Sequence, residues 1–331
     1  MIFSKISYNR TAYYSLHAEQ CLNNLRIDSI MKMPAVYQTQ LDEICDDIRN
    51  DQQNVVFVLN CDNVDNIQIN AIEKQLANLV GAESKKVIFE NAKESLLEQF
   101  SFYPLFRTNN VKYRVEEDMK YEFFPLTNGF DCSKLTCTDK VFDKVFLENV
   151  TKYNQSQPDE KLEHTSSSVS LTTYVDIKRF IIEKRSFMLY SIYRLAMKIQ
   201  NHWLKNDVIH KKKPILVCQS LNGSYIAAVL ASLLDLDLYM LDQVGPINKL
   251  YKAIGAKIKA DADYIVVSDM VCMGTEVKIV KNIIEYLGGN YIGNVALVRT
   301  FLKQFNNTEE VLLINKNNCK QLNYQIIVSI K

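Results

Sequence analysis

Glycine is scarce in this sequence of 331 residues, which contains only nine, well below the average usage of about 7%. Seven of the nine follow residue 220. Glycine is the residue that most readily adopts left-handed backbone conformations and allows two backbones to approach closely. Tight turns of the kind that surround a bound ligand are therefore expected mainly in the C-terminal part of the chain.

Three further absences narrow the range of functions. The 39 basic residues are balanced by 38 acidic ones, so no net charge draws the protein to nucleic acid, and a nucleic-acid partner is not indicated. No apolar run approaches the roughly 18 residues needed for a membrane helix. The N-terminus lacks the charged, apolar and small-residue segments of a secretion signal. We therefore expect a cytoplasmic protein that does not cross a membrane.

The cysteine and glycine patterns of several well-known sites are also missing. The eight cysteines form no CxxC or Cys/His ligand pattern, so we expect reduced structural thiols and predict no metal site. The closest pair, Cys132 and Cys137, has no histidine nearby. GxGxxG and Walker sequences are absent as well, which leaves little support for a dinucleotide-binding or P-loop enzyme.

The hydrophobic pattern predicts two domains. Residues 54–59 and 86–89 have the composition of strands, and residues 67–80 have helical periodicity, which predicts an N-terminal α/β domain of unknown role over residues 1–150. Residues 151–170 are interpreted as a linker. The first 18 of them, up to residue 168, have few apolar side chains and include Pro158 and a run of serines. The second domain then covers residues 171–331.

The second domain has the pattern of a doubly wound α/β fold. A long helix is predicted over about residues 175–204, followed by short apolar strands that alternate with amphipathic helices. Such alternation is typical of a parallel sheet covered on both faces. The predicted strands are 215–218, 238–241, 264–267 and 291–298, with helices at 225–234 and 275–287. Ligands of these sheets bind beyond the carboxyl ends of the strands, which points to the loops at residues 219–224 and 268–276.

The second of these loops has the chemistry of a ribose-phosphate site. Residues 264–277, YIVVSDMVCMGTEV, combine an apolar strand, an acidic residue, a turn with one glycine and the start of a helix. A carboxylate at the strand end can accept hydrogen bonds from ribose hydroxyls, and loop amides with a helix N-terminus can hold a phosphate. The segment resembles the phosphoribosyl-diphosphate signature of type I phosphoribosyltransferases. Aligned on Gly274, the two acidic positions of that signature fall at Ser268 and Asp269.

Neighbouring segments extend the resemblance over about 130 residues, and the order looks most like the orotate phosphoribosyltransferase branch. Residues 171–179 resemble the tyrosine-aspartate segment that precedes that domain, and residues 219–224 resemble its pyrophosphate-binding loop. The resemblance implies that Asp269 binds ribose hydroxyls and that Lys249 and Lys252 act catalytically by neutralising leaving-group charge. It also implies a phosphate site at Ser268, Cys272, Met273, Gly274, Thr275 and Glu276, and a site for diphosphate with Mg²⁺ at Ser220, Leu221, Asn222 and Gly223.

The sequence also departs from the family signature. Ser268 replaces the first acid, Cys272 and Met273 replace usual hydroxyl residues, and Glu276 stands where a threonine or serine would bond the phosphate. Two like charges about 4 Å apart repel by about 1 kcal/mol in bulk water and about 4 kcal/mol at an effective dielectric constant of 20. The loop is therefore altered at the place where a phosphate is expected.

Three functions remain open on this basis. The altered loop favours a phosphoribosyltransferase-like protein that binds a ribose phosphate or nucleotide, or that serves as a non-catalytic regulatory subunit whose N-terminal domain contacts a protein partner. The alternative is an active, Mg²⁺-dependent phosphoribosyltransferase, and the resemblance implies a homodimer. The third is another Rossmann-like nucleotide-binding enzyme. The ordinary structural roles also remain open: Asp269 as a helix cap, Gly274 as a turn residue, and the two lysines as a solvated surface.

Overall fold

We analysed a computed structural model of the chain. It describes residues 2–17, 33–62, 64–68, 75–81, 85–102, 112–116, 119–126, 130–156, 169–171, 173–204, 213–241, 258–300, 307–314 and 326–328. The chain divides into two compact units, Met1–Val145 and Phe146–Lys331, called unit 1 and unit 2 below. Among the described residues, every helix is too short or too polar to cross a bilayer.

Unit 1 contains a mixed six-stranded sheet with a parallel centre. Its order is β1-β2-β4-β6-β8-β7, in which β2, β4 and β6 run parallel and the outer pairs are antiparallel. Two further strands, β3 and β5, form a separate parallel pair. The strands are β1 (Ile2–Tyr8), β2 (Thr11–His17), β3 (Met33–Val36), β4 (Val56–Asn60), β5 (Val64–Ile67), β6 (Lys86–Glu90), β7 (Lys112–Glu116) and β8 (Met119–Pro125).

The core of unit 1 forms where an amphipathic helix buries one face against this sheet. Leu41, Ile44 and Ile48 recur at helical spacing in α1 and are fully buried with Phe57 and Leu59 of β4. The helices are α1 (Gln38–Asn50), α2 (Ala77–Gly81), α3 (Glu94–Ser101) and the start of α4 (Thr138–Lys152), which continues past the unit boundary at Val145, with a short 3₁₀ turn at Cys132–Lys134. The helix predicted from residue 67 is wrong at its start, because Val64–Ile67 pairs with Met33–Val36 as a strand.

The predicted linker begins with regular structure. Residues 151 and 152 end α4, and Asn154–Ser156 forms strand β9, which pairs with Thr173–Val175. Polar side chains are compatible with both elements, since α4 needs only one buried face and β9 gains its backbone hydrogen bonds from a partner distant in sequence. Residues 157–168 lie outside the described part of the chain, and the domain limits given above stay a prediction.

Unit 2 is built around a five-stranded, fully parallel sheet of order β13-β12-β14-β15-β16. Two short antiparallel pairs, β9 with β11 and β10 with β17, complete the strands. The strands are β10 (Val169–Leu171), β11 (Thr173–Val175), β12 (Ile215–Cys218), β13 (Leu238–Met240), β14 (Asp263–Val271), β15 (Asn290–Thr300), β16 (Thr308–Ile314) and β17 (Ile326–Val328). The helices are α5 (Ile177–Glu183), α6 (Arg185–Ile199), α7 (Leu221–Leu234) and α8 (Thr275–Tyr286), with a π turn at Gln200–Leu204.

The strands of this sheet are buried on both faces. Val217 and Val266 pack in one cluster with Val280 and Ile284 of α8, whereas Leu216, Ile265 and Leu297 are equally buried and lie on the opposite face, because side chains alternate along a strand. Helix α7 contacts β12 and β14, and α6 contacts β15 and β16. The predicted α/β fold with a parallel sheet is thereby confirmed.

The long helix predicted over residues 175–204 is interrupted. It starts at Ile177, where the carboxylate of Asp176 accepts a hydrogen bond from the Arg179 amide at 2.9 Å. It breaks at Lys184, whose φ of −126° and ψ of 45° are not helical. Neither glycine nor proline marks the break, so local sequence could not indicate it. Beyond the break, α6 continues into the π turn, which contains Trp203. A Cβ at Gly293 would lie 2.4 Å from the indole ring of Trp203, so the two residues are in close contact.

Candidate ligand site at the carboxyl ends of β12 and β14

The strand order of unit 2 creates a crevice between β12 and β14. From β12 the chain passes through α7 to β13 on one side of the sheet, and β14 then lies on the other side of β12. The strand order is therefore 2-1-3-4-5, for which ligands bind beyond the carboxyl ends of the first and third strands. Cys218 and Val267 lie side by side at this point, so the residues that follow them line the crevice.

The β12–α7 junction is a compact turn closed by a serine cap. The Ser220 hydroxyl accepts a hydrogen bond from the Gly223 amide at 2.9 Å, as an N-cap does. Helix α7 begins at Leu221, so the predicted loop at residues 219–224 is wrong beyond Ser220, because this cap starts the helix four residues before the predicted Tyr225.

Gly223 brings α7 close to the sheet. A Cβ at this position would lie 2.7 Å from the Ser220 Oγ and 2.8 Å from the Cys218 Sγ, both nearer than ordinary contact. The carbonyl oxygen of Val267 in β14 is 3.4 Å away. Only glycine leaves these atoms where they are, so Gly223 fixes how closely the first turn of α7 approaches both strands of the crevice.

The β14–α8 junction is shorter than predicted. Ser268, Met270 and Val271 still pair with Ala296, Val298 and Arg299 of β15, so Ser268 and Asp269 are strand residues and the predicted loop over residues 268–276 is wrong at its start. The connection consists of Cys272, Met273 and Gly274, and α8 begins at Thr275. Long-range pairing with β15 explains the extension, since the local sequence loses its apolar character at Ser268.

Gly274 gives this turn its shape. Its φ of 65° and ψ of 23° lie in the left-handed region, which favours glycine, and it occupies the N-cap position of α8 without a side-chain cap. The turn is also held from β15, where the buried Thr300 hydroxyl donates to the Cys272 carbonyl at 2.8 Å. The conformation is therefore set by one glycine and one hydrogen bond from a neighbouring strand.

Two carboxylates of the crevice act on the thiol of Cys218. Burial, together with the charges of Asp269 and Glu276, raises the pKa of the Cys218 thiol to about 11, while hydrogen bonding to Ser220 acts in the opposite direction. Both carboxylates therefore lie within electrostatic range of the same sulfur atom. Cys218 is protonated at neutral pH, and its thiol donates to the Ser220 carbonyl at 3.2 Å rather than acting as a nucleophile.

The structure brings together residues from both predicted loops. Ser220 and Gly223 lie next to Cys218. The charges of Asp269 and Glu276 raise the pKa of the Cys218 thiol. Of the remaining predicted residues, Ser268 is 5% exposed, Cys272, Met273 and Glu276 are partly exposed, Thr275 is exposed, and Leu221 and Asn222 belong to the first turn of α7. Lys249 and Lys252 lie outside the described residues. The sequence analysis missed Cys218 and Thr300, whose roles depend on neighbours across the sheet.

A metal ion could be held here only together with a ligand. Within the described residues, no three histidine, cysteine, aspartate or glutamate side chains are grouped so that they could bind a metal. Mg²⁺ commonly uses one or two protein carboxylates and takes its other oxygens from substrate phosphates and water. Asp269 and Glu276 offer that chemistry, so the residues present fit Mg²⁺ only as part of a complex with a phosphate-bearing ligand.

Several solved structures that resemble this chain are phosphoribosyltransferases. An adenine phosphoribosyltransferase from Thermoanaerobacter pseudethanolicus is 16% identical, with 50% of this chain and 98% of that one covered at a TM-score of 0.35. Another adenine phosphoribosyltransferase is 13% identical, with 50% of this chain and 99% of that one covered at a TM-score of 0.38. A purine phosphoribosyltransferase from Pyrococcus horikoshii is 16% identical, with 38% of this chain and 80% of that one covered at a TM-score of 0.28.

Other comparisons give no match. No protein-family model matches the sequence, and no curated protein matches it.

Proposed function

We propose that unit 2 is a phosphoribosyltransferase-like domain that binds a ribose phosphate or nucleotide and does not transfer the phosphoribosyl group. The supporting observation is the position of Glu276. It lies in the first turn of α8, and this helix begins directly after the left-handed Gly274. In the signature that the sequence resembles, this turn holds the 5′-phosphate. Here a carboxylate occupies the place where a hydroxyl would donate to that phosphate.

The charge of Glu276 acts against a phosphate in two ways. It repels a second anion, by about 1 to 4 kcal/mol at 4 Å depending on the effective dielectric constant, or roughly fivefold to several hundredfold in affinity. It also compensates the positive end of the α8 dipole, so this helix N-terminus attracts an external anion less strongly. Phosphoribosyl diphosphate is therefore disfavoured in the usual pose.

Ribose recognition is retained in this proposal. Asp269 lies two residues before the end of β14, where its carboxylate can accept hydrogen bonds from ribose hydroxyls, and hydrogen bonds to a charged group are among the stronger ones. In the first turn of α7 the amides of Gly223 and Ser224 already bond to Ser220, so additional donors to the ligand would be the amides of residues 221 and 222. A nucleotide would be bound through its ribose, with its phosphate directed away from the first turn of α8.

Calorimetric titration of the full chain tests both parts of the proposal. We expect the unmodified protein to bind adenosine 5′-monophosphate, chosen as the nucleotide probe, and to bind phosphoribosyl diphosphate with Mg²⁺ more weakly. Glu276→Thr restores a hydroxyl and should raise affinity for the diphosphate by about tenfold or more. Asp269→Asn should weaken nucleotide binding by about tenfold, because a charged acceptor is lost.

Glu285→Thr is the matched control for Glu276→Thr, since Glu285 lies at the other end of the same helix and is exposed. It should leave both affinities unchanged. Tight, Mg²⁺-dependent binding of phosphoribosyl diphosphate by the unmodified protein contradicts the proposed effect of Glu276. Failure to bind either compound contradicts the ligand-binding function and favours a regulatory subunit that contacts a protein partner.

The alternative function is active phosphoribosyl transfer, supported by the survival of Asp269 and Gly274 at their signature positions. In that case Mg²⁺ would neutralise the charge of the diphosphate, and Lys249 or Lys252 would assist the leaving group as the resemblance implies. Release of pyrophosphate from phosphoribosyl diphosphate in the presence of purine and pyrimidine bases is the decisive measurement. Sustained release that depends on Asp269 would establish this alternative in place of the non-catalytic function.

A further inference from the structure

Unit 1 contains a cavity of about 560 Å³ at the amino ends of its parallel strands. Thr11, Val56 and Lys86, which lie side by side in the registers of β2, β4 and β6, form one wall. The turn after β1 and the segment around the 3₁₀ turn at Cys132–Lys134 form the others. The volume falls in the range of about 300 to 1,000 Å³ that is usual for small-molecule sites.

Aromatic rings provide much of the apolar surface of this cavity. Tyr8, Tyr13 and Phe130 all line it, and Leu135 adds an aliphatic contact. Tyr13 is only 2% exposed, and burial raises the pKa of its hydroxyl far above the range in which it could ionise near neutral pH. Tyr8 and Phe130 are partly exposed and form the surface on which a flat ligand can stack, whereas the nearly buried Tyr13 remains neutral.

Positive charge surrounds the aromatic surface. The Lys86 Nζ lies 5.4 Å from the centre of the Phe130 ring, and the Lys144 Nζ lies 5.3 Å from the centre of the Tyr8 ring. Lys134 also lines the cavity. In the described part of the chain, none of these three lysines forms an ion pair with an acidic side chain.

The one carboxylate of the lining is already engaged. Asp131 caps the 3₁₀ turn, where its two oxygens accept hydrogen bonds from the Ser133 amide at 2.9 Å and the Ser133 hydroxyl at 2.8 Å. Its charge is therefore held in a local cap, whereas Lys86 and Lys134 have no carboxylate partner among the residues that the structure describes. The cavity as a whole favours an anion.

We propose that this cavity binds a small organic anion that carries a flat aromatic ring. The ring would stack against Phe130 and Tyr8, and the anionic group would be bound by Lys86 and Lys134. The proposal concerns unit 1 alone and is independent of the nucleotide site proposed for unit 2.

Calorimetry with 2-naphthyl phosphate tests this assignment on the full chain, because the probe combines an aromatic ring with an anion and lacks ribose. We expect saturable binding that is lost with 2-naphthol, which has no charge, and with inorganic phosphate, which has no ring. Lys86→Gln and Lys134→Gln should each weaken the binding by about two- to fivefold, since each removes one partly solvated ion pair. Phe130→Leu should weaken it as well.

Lys178→Gln is the matched control, because Lys178 is an exposed lysine of α5 for which the structure shows no contact. This variant should leave the affinity unchanged. All variants are exposed or half-buried, and circular dichroism confirms that each one is folded. Equal binding of 2-naphthol and 2-naphthyl phosphate, no binding of the phosphate, or equal effects of Lys134→Gln and Lys178→Gln would each overturn the proposal.

Discussion

Helix α4 of unit 1 and helix α8 of unit 2 both begin beside a carboxylate, yet the two N-termini are built differently. At α4 the carboxylate comes from another element: Glu90, the last residue of β6, accepts the Thr138 amide at 2.9 Å and the Thr138 hydroxyl. At α8 the carboxylate is Glu276 of the helix itself, and the turn before it is shaped by Gly274.

The two carboxylates differ in how deeply they are buried. Glu90 is fully buried, and that burial raises its pKa to about 8, with the charges of Asp62 and Asp139 acting in the same direction and the hydrogen bonds from Thr138 opposing it. Glu276 is partly exposed. The N-terminus of α4 is therefore closed by the protein, whereas that of α8 remains accessible to solvent and to a ligand.

Replacing the buried carboxylate should have the largest effect. The pKa of Glu90 is raised from 4.5 to about 8 in the folded protein, so its contribution to stability is complete below the lower value and is lost as pH rises through the higher one. Glu90→Gln keeps the shape and removes this dependence. Between about pH 5 and pH 9 the difference in unfolding free energy between the two proteins should change by roughly 3 to 5 kcal/mol in favour of the variant.

Urea unfolding at a series of pH values measures this difference. Titratable groups that both proteins share contribute similarly to both unfolding free energies, so their contributions largely cancel in the difference. Among the described residues, the titratable groups that interact with Glu90 are retained in the variant; they are Asp62, Asp139, Tyr13, Cys61, Tyr121 and Cys137. Glu94→Gln, at an exposed position of α3, serves as control. Parallel pH profiles for Glu90→Gln and the unmodified protein would contradict the description of the α4 terminus.

Changing the glycine at α8 should have an intermediate effect. Gly274→Ala places a Cβ on a residue with φ of 65°, which costs about 1 to 2 kcal/mol for a left-handed conformation. Gly81→Ala in α2 is the control, since nothing lies within 4 Å of a Cβ there and its φ is not positive. Unfolding in urea should show Gly274→Ala destabilised and Gly81→Ala unchanged or slightly stabilised. Equal stability of the two variants would show that the α8 turn does not depend on glycine.

Neutralising the carboxylate of α8 should have the smallest effect on stability. Glu276→Gln loses a favourable interaction with the helix dipole that is typically about 0.3 to 1 kcal/mol at an exposed position. Glu285→Gln, in the last turn of the same helix beside Lys281 at 3.7 Å, should change stability by less than about 0.5 kcal/mol. A loss as large as the roughly 3 to 5 kcal/mol change expected for Glu90→Gln would mean that Glu276 is part of the fold rather than of a ligand site.

The sequence predicted the architecture of unit 2 because the relevant signals are local. The apolar residues of β12, β14 and β15 form short runs between amphipathic helices, and this alternation is enough to predict a parallel sheet. The ends of the elements were predicted less well. Ser268 and Asp269 read as loop residues, and only pairing with β15 makes them part of a strand.

The candidate site shows the same division. Gly274, Asp269 and Glu276 could be singled out because they follow one another in a short segment with a recognisable pattern. Cys218 and Thr300 could not, since their roles depend on contacts with residues of other strands and loops. Nothing in the sequence marked Glu90 either, because its partner Thr138 is 48 positions away.

Trp203 is the single tryptophan of the chain, and it lies in unit 2, where it packs against Gly293 and stacks on His202 with ring centres 4.3 Å apart. Intrinsic tryptophan fluorescence therefore observes unit 2 and is silent about unit 1. Circular dichroism observes both. Recording the two signals during one denaturation shows whether the units unfold together or in sequence, with no label attached to the protein.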